Sequence, residues 1–252
     1  MLVTSRLTKD YRSGSRHKFA LKNVSVSFPG GVTSLIGPNG SGKSTLMRVL
    51  TTVEKPTSGH FAVDGYAIER AVVSDYRMRI GYVPQEVRFV PRMRVREALE
   101  YAGWVAGMSR ADYHARVAEV LSLVGLSDKE HHRVGSLSGG QTRRLGIAAA
   151  LMHQPSIYFL DEPSAGLDPQ ARIDVRNIIK EIGASATVVV SSHFTDDVAG
   201  LSNHVVTLNQ GRVSFEGTWE ELHQATVASG AGANSVDPLE GALSYLGQKE
   251  LP

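Results

Sequence analysis

The sequence has no cysteine among its 252 residues. Disulfide bonds and thiolate metal sites are therefore excluded, and the composition is compatible with a reducing compartment. Charge is nearly balanced, with a formal net charge of +2. This charge is too small to favour nucleic acid as a partner. No apolar run approaches the length of a membrane-spanning helix, and the first residues have no apolar core of signal-peptide length. We therefore expect a globular chain that contacts a membrane only through another protein or through its surface.

A glycine-rich segment, GPNGSGKST at residues 37–45, has the spacing of a phosphate-binding loop: a glycine, four residues, then Gly-Lys-Ser. An apolar, β-branched stretch at 32–36 precedes it and a helix-like stretch follows it, which is the context that such a loop needs. Glycines let backbone N–H groups point inward, and the helix N-terminus adds a partial positive charge. We predict that Lys43 contacts the β- and γ-phosphates of a nucleoside triphosphate and that Ser44 binds Mg²⁺; the alternative is a chance glycine-rich turn. The predicted nucleotide-contacting residues of the loop are Gly37, Pro38, Asn39, Gly40, Ser41, Gly42, Lys43, Ser44 and Thr45.

Strand-like and helix-like segments alternate along most of the chain, which predicts an α/β fold with a parallel sheet flanked by helices. Residues 2–28 instead show period-2 patterns, which are typical of antiparallel strands with one solvated face. We thus predict a P-loop NTPase core, an N-terminal antiparallel β subdomain and an inserted α-helical subdomain. The expected division is a domain over 1–228, with the core and β subdomain at 1–87 and 151–228 and the helical subdomain at 88–150, followed by a linker and C-terminal tail at 229–252.

Polar residues follow three of the predicted core strands. The carboxyl ends of parallel strands meet at one edge of a sheet, so these residues should lie beside the phosphate-binding loop. We predict that Asp161 holds Mg²⁺ and that Glu162 acts as general base toward the attacking water; the alternative is a pair of solvated acids that cap a strand. Gln85 could reach Mg²⁺ or the water, and His193 could hydrogen-bond the γ-phosphate or orient the water, although a lone histidine is usually structural.

A second anion cradle is indicated where SLSGGQ, residues 136–141, opens another helix. One nucleotide does not need two cradles within one chain. We therefore expect this one to contact the nucleotide of a second, facing copy of the chain. The alternative is an ordinary capped helix.

Taken together, these motifs resemble the nucleotide-binding subunits of ATP-binding cassette (ABC) transporters over residues 1 to about 225. The resemblance rests on GPNGSGKST, Gln85, LSGGQ, IYFLDEP, SAGLD and His193, which occur in that family's order. It implies an ATPase that works as a head-to-tail dimer, with two ATP molecules between the phosphate-binding loop of one copy and the LSGGQ signature of the other. It also implies the following roles: Walker A at residues 37–45, Walker B ending at Asp161, catalytic Glu162, Q-loop Gln85, switch His193, the D-loop ending at Asp168, adenine stacking by Tyr11, and a signature formed by Leu137, Ser138, Gly139, Gly140 and Gln141.

The stretch PQEVRFVPRMRVREALEYAGWVAGM and the segment FEGTWEEL look most like cassettes of drug- and antibiotic-export systems. That resemblance implies a homodimer docked on a separate membrane permease at the cytoplasmic face of the membrane, where ATP-driven dimer closure powers export. The rival interpretation is a soluble, non-transport ATPase of the same superfamily, acting in cluster assembly or regulation.

Two basic segments carry further expectations. Residues 12–18, after Tyr11, are expected to form a basic, glycine-containing loop. Six arginines between residues 77 and 96 accompany the single acid Glu86, and such a run is usually a solvated face. We alternatively expect part of the run to meet an acidic helix of the membrane subunit or anionic lipid headgroups. The six residues are Arg77, Arg79, Arg88, Arg92, Arg94 and Arg96.

Overall fold

The computed structural model describes residues 1–13, 16–69, 71–192 and 200–228. The strands in these ranges are β1 (Leu2–Ser13), β2 (Arg16–Val24), β3 (Ser27–Phe28), β4 (Gly31–Ile36), β5 (Ser58–Val63), β6 (Tyr66–Ala67), β7 (Ile80–Val83), β8 (Ile157–Asp161), β9 (Thr187–Ser191), β10 (His204–Asn209) and β11 (Arg212–Gly217). The α-helices are α1 (Lys43–Leu50), α2 (Val73–Arg77), α3 (Val95–Val105), α4 (Arg110–Leu123), α5 (Gly139–Leu151), α6 (Pro169–Gly183) and α7 (Trp219–Ala228).

The central sheet has six strands in the order β11-β10-β4-β9-β8-β7. Every neighbouring pair except β10 and β11 is parallel. Both faces of this sheet are buried, since Val188 and Val190 of β9 pack into one apolar cluster while Val189 packs into the other. The predicted α/β class with a parallel sheet is confirmed.

The second sheet is antiparallel and is built from β2, β1, β5 and β6, with β3 paired to the end of β1. Helix α1 connects the two sheets, because its Leu46 and Leu50 share one apolar cluster with Leu2 of β1 and Phe159 of β8. The phosphate-binding loop enters α1, so this packing fixes the loop between the two sheets. The predicted antiparallel β subdomain is confirmed.

Helices α3, α4 and α5 pack on the other face of the central sheet. Leu99, Leu121 and Leu145, one from each helix, are fully buried in a common cluster with β8 and β9. Ser109 caps α4, since its hydroxyl accepts a hydrogen bond of 3.2 Å from the Asp112 backbone N–H. The subdomain boundaries at 88 and 150 stay predictions.

The expectation of a loop over residues 12–18 is wrong. Strand β1 continues to Ser13 and β2 begins at Arg16, with Tyr11 paired to Lys18 across the hairpin. The polar sequence shows no strand pattern here, because hairpin arms pair through backbone hydrogen bonds that do not depend on alternating apolar residues. Tyr11 consequently lies in regular strand structure, where its side-chain direction is set by the sheet.

No α-helix in the described ranges is long and apolar enough to cross a membrane. The predicted linker and tail at 229–252 lie outside the described residues.

Candidate functional site

A cleft of about 820 Å³ lies at the carboxyl edge of the central sheet, where α1 faces the β1–β2 hairpin. It is lined by the phosphate-binding loop, by the hairpin and by residues that follow β7 and β8. The predicted core strands therefore bring the expected side chains together. The lining residues include Tyr11, Lys18, Phe19, Gly37, Pro38, Asn39, Gly40, Gly42, Lys43, Ser44, Thr45, Arg48, Glu54, Gln85 and Glu162.

The loop's own packing requires two of its glycines. Gly37 has φ of 152°, and a Cβ there would collide with the Leu208 carbonyl oxygen. Gly42, the N-cap of α1, has φ of 111°, and a Cβ there would lie 2.5 Å from the Ala20 carbonyl oxygen. Side chains at these positions would be both strained and obstructed. The loop is thereby held in a left-handed conformation at the entrance of α1.

Lys43 is buried at the base of this loop. Its Nζ donates to the Gly37 carbonyl at 2.7 Å and to the Pro38 carbonyl at 3.2 Å. Burial lowers the pKa of Lys43, and the carboxylates of Glu162 and Asp161 oppose that effect. The buried Ser41 hydroxyl has no hydrogen-bond partner among the described residues. A buried ammonium, an unpaired hydroxyl and a helix N-terminus together fit an anionic phosphate.

Two of the three residues predicted from sequence to bind Mg²⁺, Ser44 and Asp161, lie at hydrogen-bonding distance from each other, and the third, Gln85, contacts Glu162 instead. The Ser44 hydroxyl is 3.4 Å from Asp161 Oδ1, and Asp161 is only 3% exposed. Ser191, at the end of β9, donates to the same Oδ1 at 2.6 Å and fixes that carboxylate. A hydroxyl and a carboxylate are oxygen donors of the kind that Mg²⁺ prefers beside a nucleotide phosphate, so the pair fits this ion. In the described part of the chain, no cluster of three or more metal-binding side chains forms a dedicated protein site.

Glu162 follows β8 with φ of 47°, an uncommon value for a non-glycine residue. Its backbone N–H donates to the Ser191 hydroxyl at 2.7 Å, so one serine holds both adjacent acids. The Gln85 side chain donates from Nε2 to Glu162 Oε2 at 3.0 Å. The structure thus brings Gln85 and Glu162 into the cleft, as predicted.

Tyr11 lines the opposite end of the cleft and is 38% exposed. Its hydroxyl donates to Glu54 Oε2 at 2.6 Å, and the Lys9 ammonium lies 5.2 Å from the ring centroid. Burial and the hydrogen bond to Glu54 raise the pKa of Tyr11. The ring is held at one edge and open on the cleft side, which suits stacking against a planar base.

The helix that follows the LSGGQ sequence is capped by its own residues. The Ser138 hydroxyl accepts from the Gln141 N–H at 3.2 Å, and the Gln141 side chain accepts from the Ser138 N–H at 2.9 Å. A Cβ at Gly139 would meet no atom within 4 Å, and its backbone is not left-handed. Of the described residues that line the cleft, none belongs to 137–141. The structure therefore separates this predicted cradle from the phosphate-binding loop of the same chain.

Asp168 is also outside the cleft lining. Its carboxylate accepts from the Ala171 N–H at 2.9 Å and caps α6. The predicted switch residue His193 lies outside the described residues. Ser191, Glu54 and Arg143 were not predicted as site residues, because their contacts with the site join residues far apart in the chain. The polar end of β9 is a sequence signal for Ser191 alone.

Comparison with known proteins gives a consistent result. Residues 21–165, more than half of the chain, match the ABC transporter family. The chain is 34% identical over 224 residues to the linearmycin resistance ATP-binding protein LnrL of Bacillus subtilis, covering 88% of this chain and 70% of that one. It is 36% identical over 260 residues to the methionine import ATP-binding protein MetN 2 of Yersinia pestis, covering 100% and 74%.

Among solved structures, a dimeric, post-hydrolysis state of the ATP-binding cassette MJ0796 bound to ADP and phosphate superposes with a TM-score of 0.78. The two chains are 29% identical, and the similarity covers 86% of this chain and 98% of the other. Sequence motifs, the fold of the cleft and these relatives agree. The chain belongs to the ABC transporter family, as one of its ATP-binding, ATP-hydrolysing members.

Proposed function

We propose that the residues of the cleft bind and hydrolyse ATP with Mg²⁺, and that hydrolysis drives transport of a substrate through a separate membrane permease. The observation that carries the proposal is the meeting of Lys43, Ser44 and Glu162 in one cleft, with the buried Asp161 carboxylate 3.4 Å from the Ser44 hydroxyl. Mg²⁺, held by Ser44 and Asp161 with Gln85 nearby, would offset negative charge on the phosphates.

The chain's own residues divide the remaining work. Lys43 and the loop N–H groups orient the triphosphate, and Tyr11 stacks on the base. Glu162 accepts a proton from the attacking water, and the hydrogen bond from Gln85 holds its carboxylate in place. His193 is proposed from the family resemblance to contact the γ-phosphate.

We propose that the complete site is formed by two copies of the chain. Gly139 supports this, because neither backbone strain nor packing within one chain requires a glycine there. An exposed glycine at a helix N-terminus allows close approach of a phosphate, and the cleft of the same chain does not reach it. The residues 137–141 of one copy, with Asp168 at the N-terminus of the neighbouring helix α6, would then close over the nucleotide of the other.

A second cavity supports docking on a permease. It measures about 780 Å³, lies between β7 and the helical subdomain, and is mostly apolar. Next to it, Trp104 and Val105 at the end of α3 are 63% and 62% exposed. Such a concentration of exposed apolar side chains is typical of an interaction surface. We call this cavity the groove, and its lining includes Met78, Tyr82, Val87, Phe89, Val90, Met93, Tyr101, Val105, Ala149 and His153.

Charge at the groove indicates what its partner should carry. Arg77 and Arg88 line the groove and are exposed, and Arg88 pairs with Glu86 at 2.5 Å. Burial lowers the pKa of His153, whose Nε2 lies 2.9 Å from the Ile80 carbonyl oxygen. We propose that a short permease segment with apolar side chains and an acidic residue occupies the groove, with the acid near Arg77.

The other arginines of the run act differently. Arg79 pairs with Asp64 at 2.6 Å, and Arg96 pairs with Glu100 at 3.1 Å and also with Glu130. The view of a run opposed only by Glu86 is therefore wrong, because the fold brings acids from elsewhere in the chain. Arg92 and Arg94 are exposed and keep the proposed role toward an acidic helix or lipid headgroups.

The docking proposal is tested by capture from native membranes. Tagged Glu162→Gln chain with ATP and Mg²⁺ should recover a multi-span membrane protein from detergent extracts in near-equal amount, identified by mass spectrometry. Val105→Arg, which replaces an apolar side chain of the groove lining with a larger, charged one, should lose that protein. Val53→Arg is the matched control, because Val53 is 61% exposed and lies outside the groove lining. Recovery of only soluble proteins would favour the non-transport alternative.

We further propose export as the direction, supported by the drug-exporter resemblance and by similarity to the resistance protein LnrL. Similarity to the importer MetN 2 makes uptake the alternative to test. A strain lacking the chain should become more susceptible to linearmycin or another antibiotic and should grow normally on limiting methionine. Unchanged antibiotic susceptibility together with poor growth on limiting methionine would overturn export.

A further inference from the structure

Arg143 lies in the second turn of α5 and is 9% exposed. Its Nη1 donates to the Pro84 carbonyl at 3.0 Å, and its Nη2 donates to the Gln85 carbonyl at 2.8 Å. One guanidinium thus holds two consecutive carbonyls of the segment that follows β7. A planar fork with two fixed donors can fix both the position and the direction of such a segment.

The two carbonyls belong to residues that line different cavities. Pro84 lines the groove, whereas Gln85 lines the nucleotide cleft and donates to Glu162. Arg143 therefore connects α5 to a segment that lines both cavities. Displacement of that segment from the groove side would change the distance between the Gln85 amide and the Glu162 carboxylate.

Electrostatics is consistent with this placement. Burial lowers the pKa of Arg143, and the nearby carboxylates of Asp161 and Glu162 partly offset that effect. The guanidinium nevertheless donates to the Pro84 and Gln85 carbonyls, and the Glu162 side chain lines the cleft. Arg143 contributes positive charge near the carboxylates without occupying their oxygen atoms.

We propose that Arg143 is a positioning residue, which holds Gln85 against Glu162 and thereby transmits occupation of the groove to the nucleotide cleft. The inference rests on the proposed function of Gln85 and Glu162 in ATP hydrolysis. Arg143 does not line the nucleotide cleft, and its hydrogen-bonded connection to Glu162 runs through Gln85.

The first test separates turnover from binding in the purified full chain. Arg143→Gln should lower kcat for ATP hydrolysis about tenfold, the effect of one lost charge-assisted contact, and leave KM for ATP within about twofold. Arg143→Lys should fall between this variant and the wild type, because an ammonium lacks the planar fork. A rise in KM with unchanged kcat would overturn the proposal.

The second test asks whether Arg143 acts through Gln85. In a Gln85→Ala background, Arg143→Gln should cause no further loss of kcat, because the side chain that it positions is gone. A full, multiplicative loss in that background would overturn the proposal. If Arg143→Gln does not fold, Arg143→Lys is measured in the same two backgrounds with the same criteria.

Arg144 provides the matched control. It neighbours Arg143 on α5, and its Nη1 donates to the Val124 carbonyl at 3.1 Å and the Gly125 carbonyl at 3.4 Å, away from both cavities. Arg144→Gln should lower the Tm but leave kcat within about twofold, since it removes comparable backbone contacts. Equal losses of kcat in the two variants would show a merely structural role and overturn the inference.

Failure of this inference is distinguishable from failure of the proposed function. If Glu162→Gln hydrolyses ATP at the wild-type rate, Glu162 does not have the proposed role, and the inference about Arg143 loses its basis. If Glu162→Gln loses hydrolysis but the Arg143 and Gln85 variants lower kcat multiplicatively, only the inference about Arg143 is overturned.

Discussion

The chain has two glycine-rich helix N-termini, one before α1 and one before α5, and they differ in what requires their glycines. Gly37 and Gly42 have positive φ, and side chains there would meet carbonyl oxygens of the same chain. Gly139 has open space and ordinary backbone geometry. The first cradle is therefore constrained by its own fold at Gly37 and Gly42. At the second cradle a Cβ on Gly140 would lie 3.0 Å from the Ala171 Cβ, but neither packing nor backbone strain within one chain requires a glycine at position 139.

This difference also separates a complete half-site from an incomplete one. The cleft beside α1 already contains a cation, two carboxylates and an aromatic ring. The N-terminus of α5 offers N–H groups and a serine, but among the described residues, those at 137–141 line neither the nucleotide cleft nor the groove. A shared site between two copies accounts for both observations, and the following predictions test whether the two N-termini act on one nucleotide.

The largest effect is expected at Glu162. Glu162→Gln keeps the shape of the side chain and its position beside Ser191 but removes the base, so hydrolysis should fall about a thousandfold. ATP binding should stay within a few fold, measured with a fluorescent nucleotide. Hydrolysis at the wild-type rate would show that another group accepts the proton.

Removal of the buried cation should affect binding. Lys43→Ala deletes an ammonium that the loop carbonyls orient toward the phosphates, and ATP affinity should fall about a hundredfold. Isothermal titration measures this loss. Lys55→Ala, an exposed lysine at the turn after α1, serves as control and should bind normally. Normal affinity in Lys43→Ala would contradict the assignment of the phosphate-binding loop.

A charge at the second N-terminus tests the comparison directly. Gly139→Asp should not lower the Tm, because an acid in the first turn of a helix is favourable and the space is open. Hydrolysis should nevertheless fall about fiftyfold, since a carboxylate would repel the phosphates of the partner's nucleotide. Gly30→Asp is the matched control, as Gly30 is equally open, precedes β4 at the end opposite to the phosphate-binding loop and does not line the cleft. Equal activities in the two variants would mean that the N-terminus of α5 does not meet a nucleotide.

The smallest effect is expected from changing Tyr11, the residue proposed to stack on the adenine of ATP. Tyr11→Ala should raise KM for ATP about tenfold through lost stacking. Tyr11→Phe keeps the ring and loses only the hydrogen bond to Glu54, so KM should rise about twofold. Steady-state kinetics checks both values. Equal KM in wild type and Tyr11→Ala would remove Tyr11 from the site.

Local patterns in the sequence predicted much of this architecture. Each buried core strand is an apolar run that ends in residues such as Asp161 or Gln85, and a parallel sheet brings those ends to one edge. The phosphate-binding loop and the caps at Ser109 and Ser138 are likewise set by a few neighbouring residues. These features follow from short-range chemistry and therefore could be predicted without coordinates.

The contacts that position the site could not be predicted in this way. Ser191 lies 30 residues from the Asp161 carboxylate that it holds, Glu54 lies 43 residues from Tyr11, and Arg143 lies 58 residues from Gln85. Such pairs depend on how helices pack on the sheet, which no local periodicity encodes. The hairpin around residues 12–18 was missed for a related reason, because its pairing is made by backbone atoms.

Sedimentation velocity of Glu162→Gln, with and without ATP and Mg²⁺, tests the two-copy site most directly. The chain should be monomeric without nucleotide and dimeric with it, and Glu162→Gln combined with Gly139→Asp should stay monomeric while still binding ATP. A Glu162→Gln chain that stays monomeric at saturating ATP, or a double variant that dimerises equally well, would contradict a nucleotide held between the N-termini of α1 and α5.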